Sequence, residues 1–454
     1  MTTPMNSSNR KLSDEILPGV DTAEMKLPLR QANLWFMVLW GMMLIDIVDR
    51  FALGACLPLI KAEFGLTDAQ GGMLNSVFAF SVAVLAVPVS VIAFKWSRRK
   101  VLAIMVAVWS IATWGTGLAK GYTSLLAARF LLGCGEAGYA PIAYSFVSIW
   151  YPKSMRGLML GFLQVANQVA ATVGLMFCGW MAFTYGWQAC FGVLAVPGLI
   201  LAGIGWFMPD FKNKVTAHVN KMEQEDASAS KVGMKEAFAF SIKTPSVLFS
   251  ILMTGFILVG STAVALWGVT LYVRTFGMNV KEAASFIGYI GLVSVFIPIA
   301  MGKIADLLVR KRQDGRLIAS IISACAYLLA ALLFTYDCFH SKDLVVAFIS
   351  YGLLKGFLIA ATANANTLTN DLVPPHFRTI TNSLIPISNQ GIGGMTGPLL
   401  CGILSDKFGI NMAFMYIVAI GFLLQVFATI VCKINFKKDL QKLDNMGKFS
   451  LERE

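Results

Sequence analysis

Twelve apolar stretches dominate this 454-residue sequence, and each is long enough to cross a lipid bilayer as a helix. A bilayer core about 30 Å thick requires about 20 helical residues at about 1.5 Å each. The predicted spans are 34–60, 70–94, 101–119, 122–150, 158–184, 188–208, 246–272, 283–305, 317–336, 344–370, 380–404 and 411–432. With 57% hydrophobic and 14% charged residues, the composition excludes a soluble enzyme, a disordered chain and a nucleic-acid-binding module. We therefore predict an all-α integral membrane protein.

A polar stretch after the sixth span divides the helices into two groups of six. The predicted units are an N-terminal tail (1–33), a six-helix bundle (34–208), a linker (209–245), a second six-helix bundle (246–432) and a C-terminal tail (433–454). With the tails placed inside, the short inner loops and their edges hold eleven Lys and Arg residues, against six in the outer loops. The positive-inside rule then predicts cytoplasmic termini, because loops that stay in the cytoplasm are enriched in these residues. A miscounted helix is the alternative, and it would place Arg98 and Arg310 on opposite sides.

The two halves resemble each other in sequence. A shift of 212 residues maps Phe64-Gly65 onto Phe276-Gly277, and a shift of 222 maps Asn167-Gln168 onto Asn389-Gln390. We therefore predict two parallel six-helix repeats with a substrate site between them near the mid-plane, and alternating access by rocking of the halves. The sequence contains no phosphate-binding loop of the Gly-x-x-x-x-Gly-Lys-Ser/Thr type, so we expect no cofactor and a gradient as the energy source.

Charged residues inside the predicted spans are the strongest indication of function. A charge at membrane depth costs several kcal/mol unless it is paired or hydrated. The first span contains Asp46, Asp49 and Arg50, and the fourth contains Arg129 and Glu136. Spacings of three, four and seven residues place each set on one helical face, so we expect the two helices to share one cluster of opposite charges.

This cluster could be a permanent ion pair that only holds two helices together. However, two or three carboxylates compete for two arginines, and a partly desolvated carboxylate has a pKa raised toward the physiological range. We therefore hypothesise that Asp49 and Glu136, with Asp46 beside them, carry the proton-coupling function. In this hypothesis Arg50 and Arg129 are their exchanging partners.

Lys355 lies in the middle of the tenth span, and an anionic substrate could bridge Arg50 and Lys355. The alternative is a lysine that extends along a tilted helix to the membrane surface. Polar side chains on other spans are candidates for substrate binding, although interhelical hydrogen bonds are the competing role. These candidates are Tyr139, Tyr144, Gln164, Asn167, Gln168, Asn389 and Gln390.

The whole chain resembles the major facilitator superfamily, which implies that family's fold of twelve transmembrane helices. The family's loop signature, Gly-x-x-x-Asp followed by basic residues, is present as Gly302, Asp306 and Arg310. In the family these residues form a conformational latch. The first half retains only the basic cluster that includes Arg98 and Arg99, which leaves a latch there in doubt. A further Gly402-x-x-x-Asp406 sequence is expected only to end the eleventh helix.

Two subfamilies share the charged residues. The Asp49-Arg50 pair, Arg129 and Gly135-Glu136-Ala137 are similar to the proton-coupled anion:cation symporters, which import sugar acids and other organic anions. The sequence around Glu136 and the following Trp150-Tyr151-Pro152 also resemble spinster-like transporters of lysolipids and sphingolipids. Three cationic groups near a polar cavity favour a small carboxylate over a lipid.

The sequence therefore predicts a secondary transporter, not an enzyme, that moves a small organic anion together with protons. The expected partners are this anion, protons and the lipid bilayer, without nucleic acid, and we expect a monomer. The predicted location is the cell membrane, specifically a bacterial inner membrane. The alternative is a proton-coupled transporter of lysolipids or other amphipathic solutes.

Overall fold

Helices make up all the regular secondary structure of the described residues, which are 27–210, 233–374 and 377–451 of this computed structural model. The spanning helices are α1 (Leu29–Phe64), α2 (Asp68–Lys95), α3 (Arg98–Gly117), α4 (Tyr122–Glu136 with Tyr139–Trp150), α5 (Lys153–Val169, Ala170–Gly174 and Leu175–Tyr185), α6 (Trp187–Gly205), α7 (Pro245–Phe276), α8 (Val280–Ser294 with Phe296–Lys311), α9 (Gly315–His340), α10 (Leu344–Asp371), α11 (Arg378–Ser388, Asn389–Gly394 and Met395–Phe408) and α12 (Ile410–Leu451). One helix lies at each predicted span, which confirms the all-α fold. A linker helix (Gly233–Lys243) precedes α7.

Judged by length and composition, nine of the described helices could cross a membrane. The exceptions are α1, α4 and α11. Charged residues interrupt the middle of α1, and a turn after Glu136 divides α4 into shorter pieces. These three helices carry nine of the thirteen residues predicted for proton coupling and substrate binding.

Equivalent turns and caps show that the two halves are structural repeats. Gly65 ends α1 and Gly277 ends α7, both with a positive φ angle (62° and 68°) that favours glycine because it has no Cβ. Two residues later in each half, Thr67 and Asn279 form capping boxes with Gln70 and Glu282 at the starts of α2 and α8. The sequence shift of 212 residues thus corresponds to the same turn built twice.

A π-helical segment interrupts α5 and α11 at corresponding positions, Ala170–Gly174 and Asn389–Gly394. Such segments change the direction in which the neighbouring side chains project and are frequent at functional sites. In both helices the predicted Asn-Gln pair lies at or just before this segment.

Successive helices run in opposite directions, so their ends lie at two faces of the molecule. The basic face carries the starts of α3 and α9 with their Lys and Arg residues, and the opposite face carries the turns at Gly65, Gly186, Gly277 and Gly409. Seven hydrogen bonds that join residues 27–210 to residues 245–441 lie between mid-membrane and the opposite face. Among the described residues, the halves are thus joined at the opposite face and separate toward the basic face.

Helix α12 is longer than the twelfth predicted span. Helix α12 continues to Leu451, so most of the stretch predicted as a C-terminal tail from residue 433 is helical. This extension is anchored by Asp439, whose carboxylate accepts a hydrogen bond from the backbone N–H of Ser246 near the start of α7 (3.1 Å). The N-terminal tail to residue 26 and linker residues 211–232 lie outside the described residues.

Candidate functional site

A cavity of about 380 Å³ lies between the two halves, at the depth of the charged residues of α1. Helices α1, α2 and α5 form one wall, and α7, α8, α10 and α11 form the other. Among the described residues that line it, the charged ones are Arg50 and Lys355, one from each half. Its polar lining consists of Asn75, Asn167, Gln168, Ser261, Thr262, Tyr351 and Gln390, and most of the remaining lining is apolar.

Arg50 connects this cavity to the buried carboxylates behind it. Its Nε donates to Glu136 Oε2 (2.7 Å), and its Nη2 forms an ion pair with Asp46 Oδ2 (3.2 Å). The Arg50 side chain is 31% exposed, whereas the Glu136 side chain is fully buried. The Asp46 and Glu136 carboxylates therefore share one guanidinium. The structure thus brings the predicted charges of α1 and α4 into one cluster, in which Arg50 is the member that lines the cavity.

Asp49 and Arg129 form a second, deeper part of the cluster. Both are buried and interact electrostatically, without a direct ion pair in the described structure. The Thr113 hydroxyl donates a hydrogen bond to Asp49 Oδ2, and the guanidinium of Arg129 lies 5.0 Å from the centre of the Phe191 ring. Asp49 Oδ1 and Arg129 Nε and Nη2 have no hydrogen-bond partner among the described residues. Unsatisfied buried polar atoms are costly, which makes this region a place where a proton or an ordered water could be accommodated.

Lys355 contributes the positive charge of the second half. It is partly buried in α10, lines the cavity and forms no ion pair with a described carboxylate. Its Nζ lies close to α8, 3.1 Å from the position that a Cβ on Gly291 would occupy. The lysine therefore lies inside the protein between helices, and it does not extend to the membrane surface.

The predicted polar contacts fall into two groups. Asn167, Gln168 and Gln390 line the cavity, and Gln164 hydrogen-bonds with Tyr144 (3.0 Å) and Asn167 (2.7 Å) beside it. Three other candidates are not among the lining residues: Arg129, Tyr139 and Asn389. The Tyr139 hydroxyl instead donates to the backbone carbonyl of Leu39 (2.6 Å), an interhelical role.

The described contacts of the predicted latch on the basic face lie within each half. Asp306 is 65% exposed and its one described ion pair is with Arg316 (3.4 Å), while Arg310 is exposed. In the first half, Arg99 donates to the backbone carbonyl of Met208 (3.1 Å), and Arg98 is partly exposed. A Cβ added to Gly302 would meet no atom within 4 Å. These residues are therefore disengaged in this state.

The expectation that Gly402-x-x-x-Asp406 only ends α11 is wrong. The Asp406 carboxylate accepts hydrogen bonds from the backbone N–H groups of Asp68 and Ala69, which belong to the other half. The two Gly-x-x-x-Asp sequences have the same spacing, and the spacing alone does not reveal which of them faces a partner helix.

Several cavity residues were not predicted from the sequence. Asn75 is an amide within the second apolar span, and the rule that polar groups at membrane depth are functional candidates would have included it. Ser261 and Thr262 in the cavity carry no such signal, and neither does Thr113 beside Asp49, because hydroxyl side chains commonly bond to their own helix within membranes. Only the packing of the helices distinguishes them.

Comparisons with known proteins agree with this architecture. The family model of the Major Facilitator Superfamily matches residues 39–390. The D-galactonate transporter of Escherichia coli O6:H1 is 24% identical over 87% of this chain and 94% of its own length. The hexuronate transporter of Bacillus subtilis is 25% identical over 85% of this chain and 89% of its own length. Among solved structures, an inward-facing, occupied bacterial homologue of the human lysosomal transporter Spinster is similar in fold, with a TM-score of 0.75 and 19% identity over 91% of this chain and 99% of that one.

Proposed function

The chain belongs to the major facilitator superfamily, and from that premise we propose that it carries a small organic anion across a membrane together with protons. Family membership makes it a membrane transporter and not an enzyme. The relatives reported above are named as transporters of organic acids. The substrate class and the coupling to protons are inferred for this chain from its site.

The observation that carries the proposal is the placement of Arg50 and Lys355 on opposite walls of one cavity. An anion between them would interact favourably with both cations and so connect the first half to the second. Uncharged hydrogen-bonding groups, including Asn167, Gln168 and Gln390, surround this position and suit hydroxyl groups of a polar acid. A carboxylate flanked by hydroxyl groups, as in a sugar acid, therefore suits the charges and the amides together.

Competition for Arg50 supplies the coupling to protons. The Arg50 guanidinium is shared by Glu136 and Asp46 through Nε and Nη2, so a substrate carboxylate that binds it in a bidentate manner would compete with those contacts. The ionised Asp46 carboxylate on the same guanidinium repels an ionised Glu136, which favours a proton on Glu136. Protonation would release Arg50 toward the cavity and make anion binding more favourable. Proton and anion then bind cooperatively, which is the requirement for symport.

We assign Asp49 and Arg129 to the same proton pathway. They lie behind Arg50, away from the cavity lining, so their contribution would be to hold a proton and not to contact substrate. The predicted domain boundaries, 34–208 and 246–432, then define the two rocking units. The proton gradient would serve as the energy source, with no bound cofactor.

We propose that the basic face is cytoplasmic, with both termini on that side. The basic loops at Arg98-Arg99-Lys100 and Arg310-Lys311-Arg312 support this orientation through the positive-inside rule. We further propose a monomer in a bacterial inner membrane, where the relatives reported above also belong to bacteria.

A lysolipid or other amphipathic solute is the second candidate substrate. The observation that favours it is the apolar part of the cavity, formed by residues such as Phe51, Phe78, Leu358 and Ile359. A solute with an anionic head and an apolar chain would use these residues as well as the two cations.

The experiment that tests the proposal is transport by the purified protein in proteoliposomes. Counterflow of D-galactonate, hexuronates, dicarboxylates and lysolipids would identify the substrate class, because exchange across a sealed vesicle needs no gradient. With the transported acid as probe, we expect an inwardly directed proton gradient, with the outside more acidic than the inside, to drive uptake by the parent protein. Glu136→Gln and Asp49→Asn should abolish gradient-driven uptake and retain counterflow, whereas the loop variant Asp314→Asn should behave as the parent. Unchanged gradient-driven uptake in both amide variants would overturn the coupling role, and transport of lysolipids alone would overturn the anion assignment.

A further inference from the structure

Asp406, near the end of α11, caps the N-terminus of α2, which belongs to the other half of the molecule. Its Oδ1 accepts a hydrogen bond from the Asp68 N–H and its Oδ2 from the Ala69 N–H, each at 2.8 Å. The first N–H groups of a helix have no partner within the helix, and the helix dipole makes them attractive to a negative charge. A carboxylate at the end of α11 therefore satisfies two backbone groups of α2 in a contact that exists only while the halves are together.

The Asp68 side chain forms the second layer of this contact. It accepts hydrogen bonds from Arg274 Nη1 (2.7 Å) and Nη2 (2.9 Å) and from Ser405 Oγ (2.5 Å), and it forms an ion pair with Lys61. Arg274 and Ser405 belong to the second half, while Lys61 belongs to the first. Separation of the halves would leave buried Asp68 with Lys61 as its remaining described cationic partner.

Glycines allow the two helices to approach this closely. A Cβ on Gly402 would lie 2.3 Å from the backbone oxygen of Asp68, and a Cβ on Gly72 would lie 2.3 Å from that of Pro398. Cβ atoms do not approach other atoms to less than about 3.0 Å, so a larger residue at either position would force α2 and α11 apart. The indole N–H of Trp267 on α7 donates to the same Pro398 carbonyl (3.0 Å).

The same sequence pattern is engaged at one face and free at the other. Gly402 and Asp406 contact the other half, whereas Gly302 has open space around it and Asp306 reaches only Arg316 of its own half. This contrast matches a structure that is joined at the opposite face and separated toward the basic face.

We propose that Asp68, Ala69, Gly402, Ser405 and Asp406 form a latch, here named the α2–α11 latch, that holds the transporter closed at the opposite face. Its release is the step that admits substrate from that side. The latch sets the equilibrium between the two access states and makes no contact with the substrate cavity. The assignment of its side to the cell exterior rests on the orientation given under the proposed function.

The test measures access to the cavity from the opposite face. A Ser261→Cys reporter, a small change on the α7 wall of the cavity, is labelled by a membrane-impermeant charged maleimide in oriented vesicles. The same vesicles without the reporter correct for the eight native cysteines. Asp406→Asn replaces a carboxylate that accepts two hydrogen bonds with a neutral amide, and we expect labelling from the opposite face to accelerate about tenfold. Gly402→Ala should have the same effect through steric separation of α2 and α11.

Asp314→Asn is the charge-matched control, because it removes a carboxylate on the basic face whose described ion pair, with Arg312, lies within its own half. It should leave labelling from the opposite face at the parent rate. Ser405→Ala removes a single hydroxyl group and is expected to give a smaller increase of about threefold, so it replaces Asp406→Asn if that variant does not fold. Parent-like labelling in the folded Asp406→Asn, Gly402→Ala and Ser405→Ala variants would overturn the latch.

This experiment uses neither substrate nor gradient, so it is independent of which solute is transported. Faster labelling through the opposite face supports the latch whichever side of the cell that face occupies. If the vesicles show this face on the cytoplasmic side, the latch stands and the orientation given under the proposed function is wrong.

Discussion

Lys355 gives the sharpest test of the anion site, because its removal should weaken substrate binding without weakening the fold. It lines the cavity opposite Arg50 and has no described carboxylate partner. A hydrogen bond to a charged group contributes about 1.5–3 kcal/mol, so Lys355→Met should raise Kd for the transported acid about 10- to 150-fold. Lys355→Arg keeps the positive charge and should retain much more of the affinity.

The stability of the same variants separates a binding role from a structural one. A positive charge inside the protein without a negative partner carries a desolvation cost, and replacement by a similarly long apolar side chain is neutral or stabilising. We therefore expect the thermal midpoint of the ligand-free Lys355→Met protein to equal or exceed that of the parent. Isothermal titration calorimetry with the acid identified by counterflow gives Kd, and a thermal-shift measurement gives the midpoint. Parent-like affinity in Lys355→Met would refute the reasoning, and so would a loss of affinity that is explained by unfolding.

Three further predictions follow from individual contacts. Arg50→Lys keeps the positive charge, but the lysine ammonium lacks the planar guanidinium that can contact Glu136 and the substrate at the same time. Gradient-driven uptake should therefore fall at least about tenfold in a folded protein; parent-like uptake would contradict this. Thr113→Val removes the hydroxyl donor to Asp49 and should lower the unfolding free energy by about 1–3 kcal/mol, with recovery in Thr113→Ser, as measured by thermal or denaturant unfolding. Gln390→Ala should weaken acid binding about 2- to 12-fold in calorimetry, while Asn389→Ala, outside the cavity lining, should leave Kd unchanged.

The sequence predicted the fold because the bilayer imposes simple requirements on length and polarity. Helices that cross hydrocarbon must satisfy their backbone hydrogen bonds internally, so apolar runs of sufficient length indicate spans directly. The break in α4 after Glu136 was not predicted, because the turn at Ala137–Gly138 lies within 122–150, which is predicted as one span. The end of α12 was predicted too early for a related reason: the helix leaves the apolar region and continues as a polar helix.

The sequence predicted which charged residues form the site, but not which of them line the cavity. Arg50, Glu136 and Asp46 are recognisable because charges within apolar spans are rare, and the structure places them in contact. The sequence does not show that Arg129 lies behind the cavity while Arg50 lines it, because both are single arginines on apolar helices. Which side of a helix faces a cavity depends on how neighbouring helices pack, and this is a property of the whole bundle.

The position of Arg50 also explains how substrate binding can be linked to closure of the cavity. Gly54 lies four residues after Arg50, one helical turn along α1, and its Cβ position is 3.2 Å from the backbone oxygens of Ala265 and Leu266 on α7. The halves are therefore in backbone contact one turn beyond Arg50 toward the opposite face, while Lys355 lies across the cavity. An anion that binds both cations would add an attraction on the open side of this contact. Under the proposed function, the halves would then rotate about the α1–α7 contact and close toward the basic face, and α1 would be the helix that links proton binding, anion binding and domain rotation.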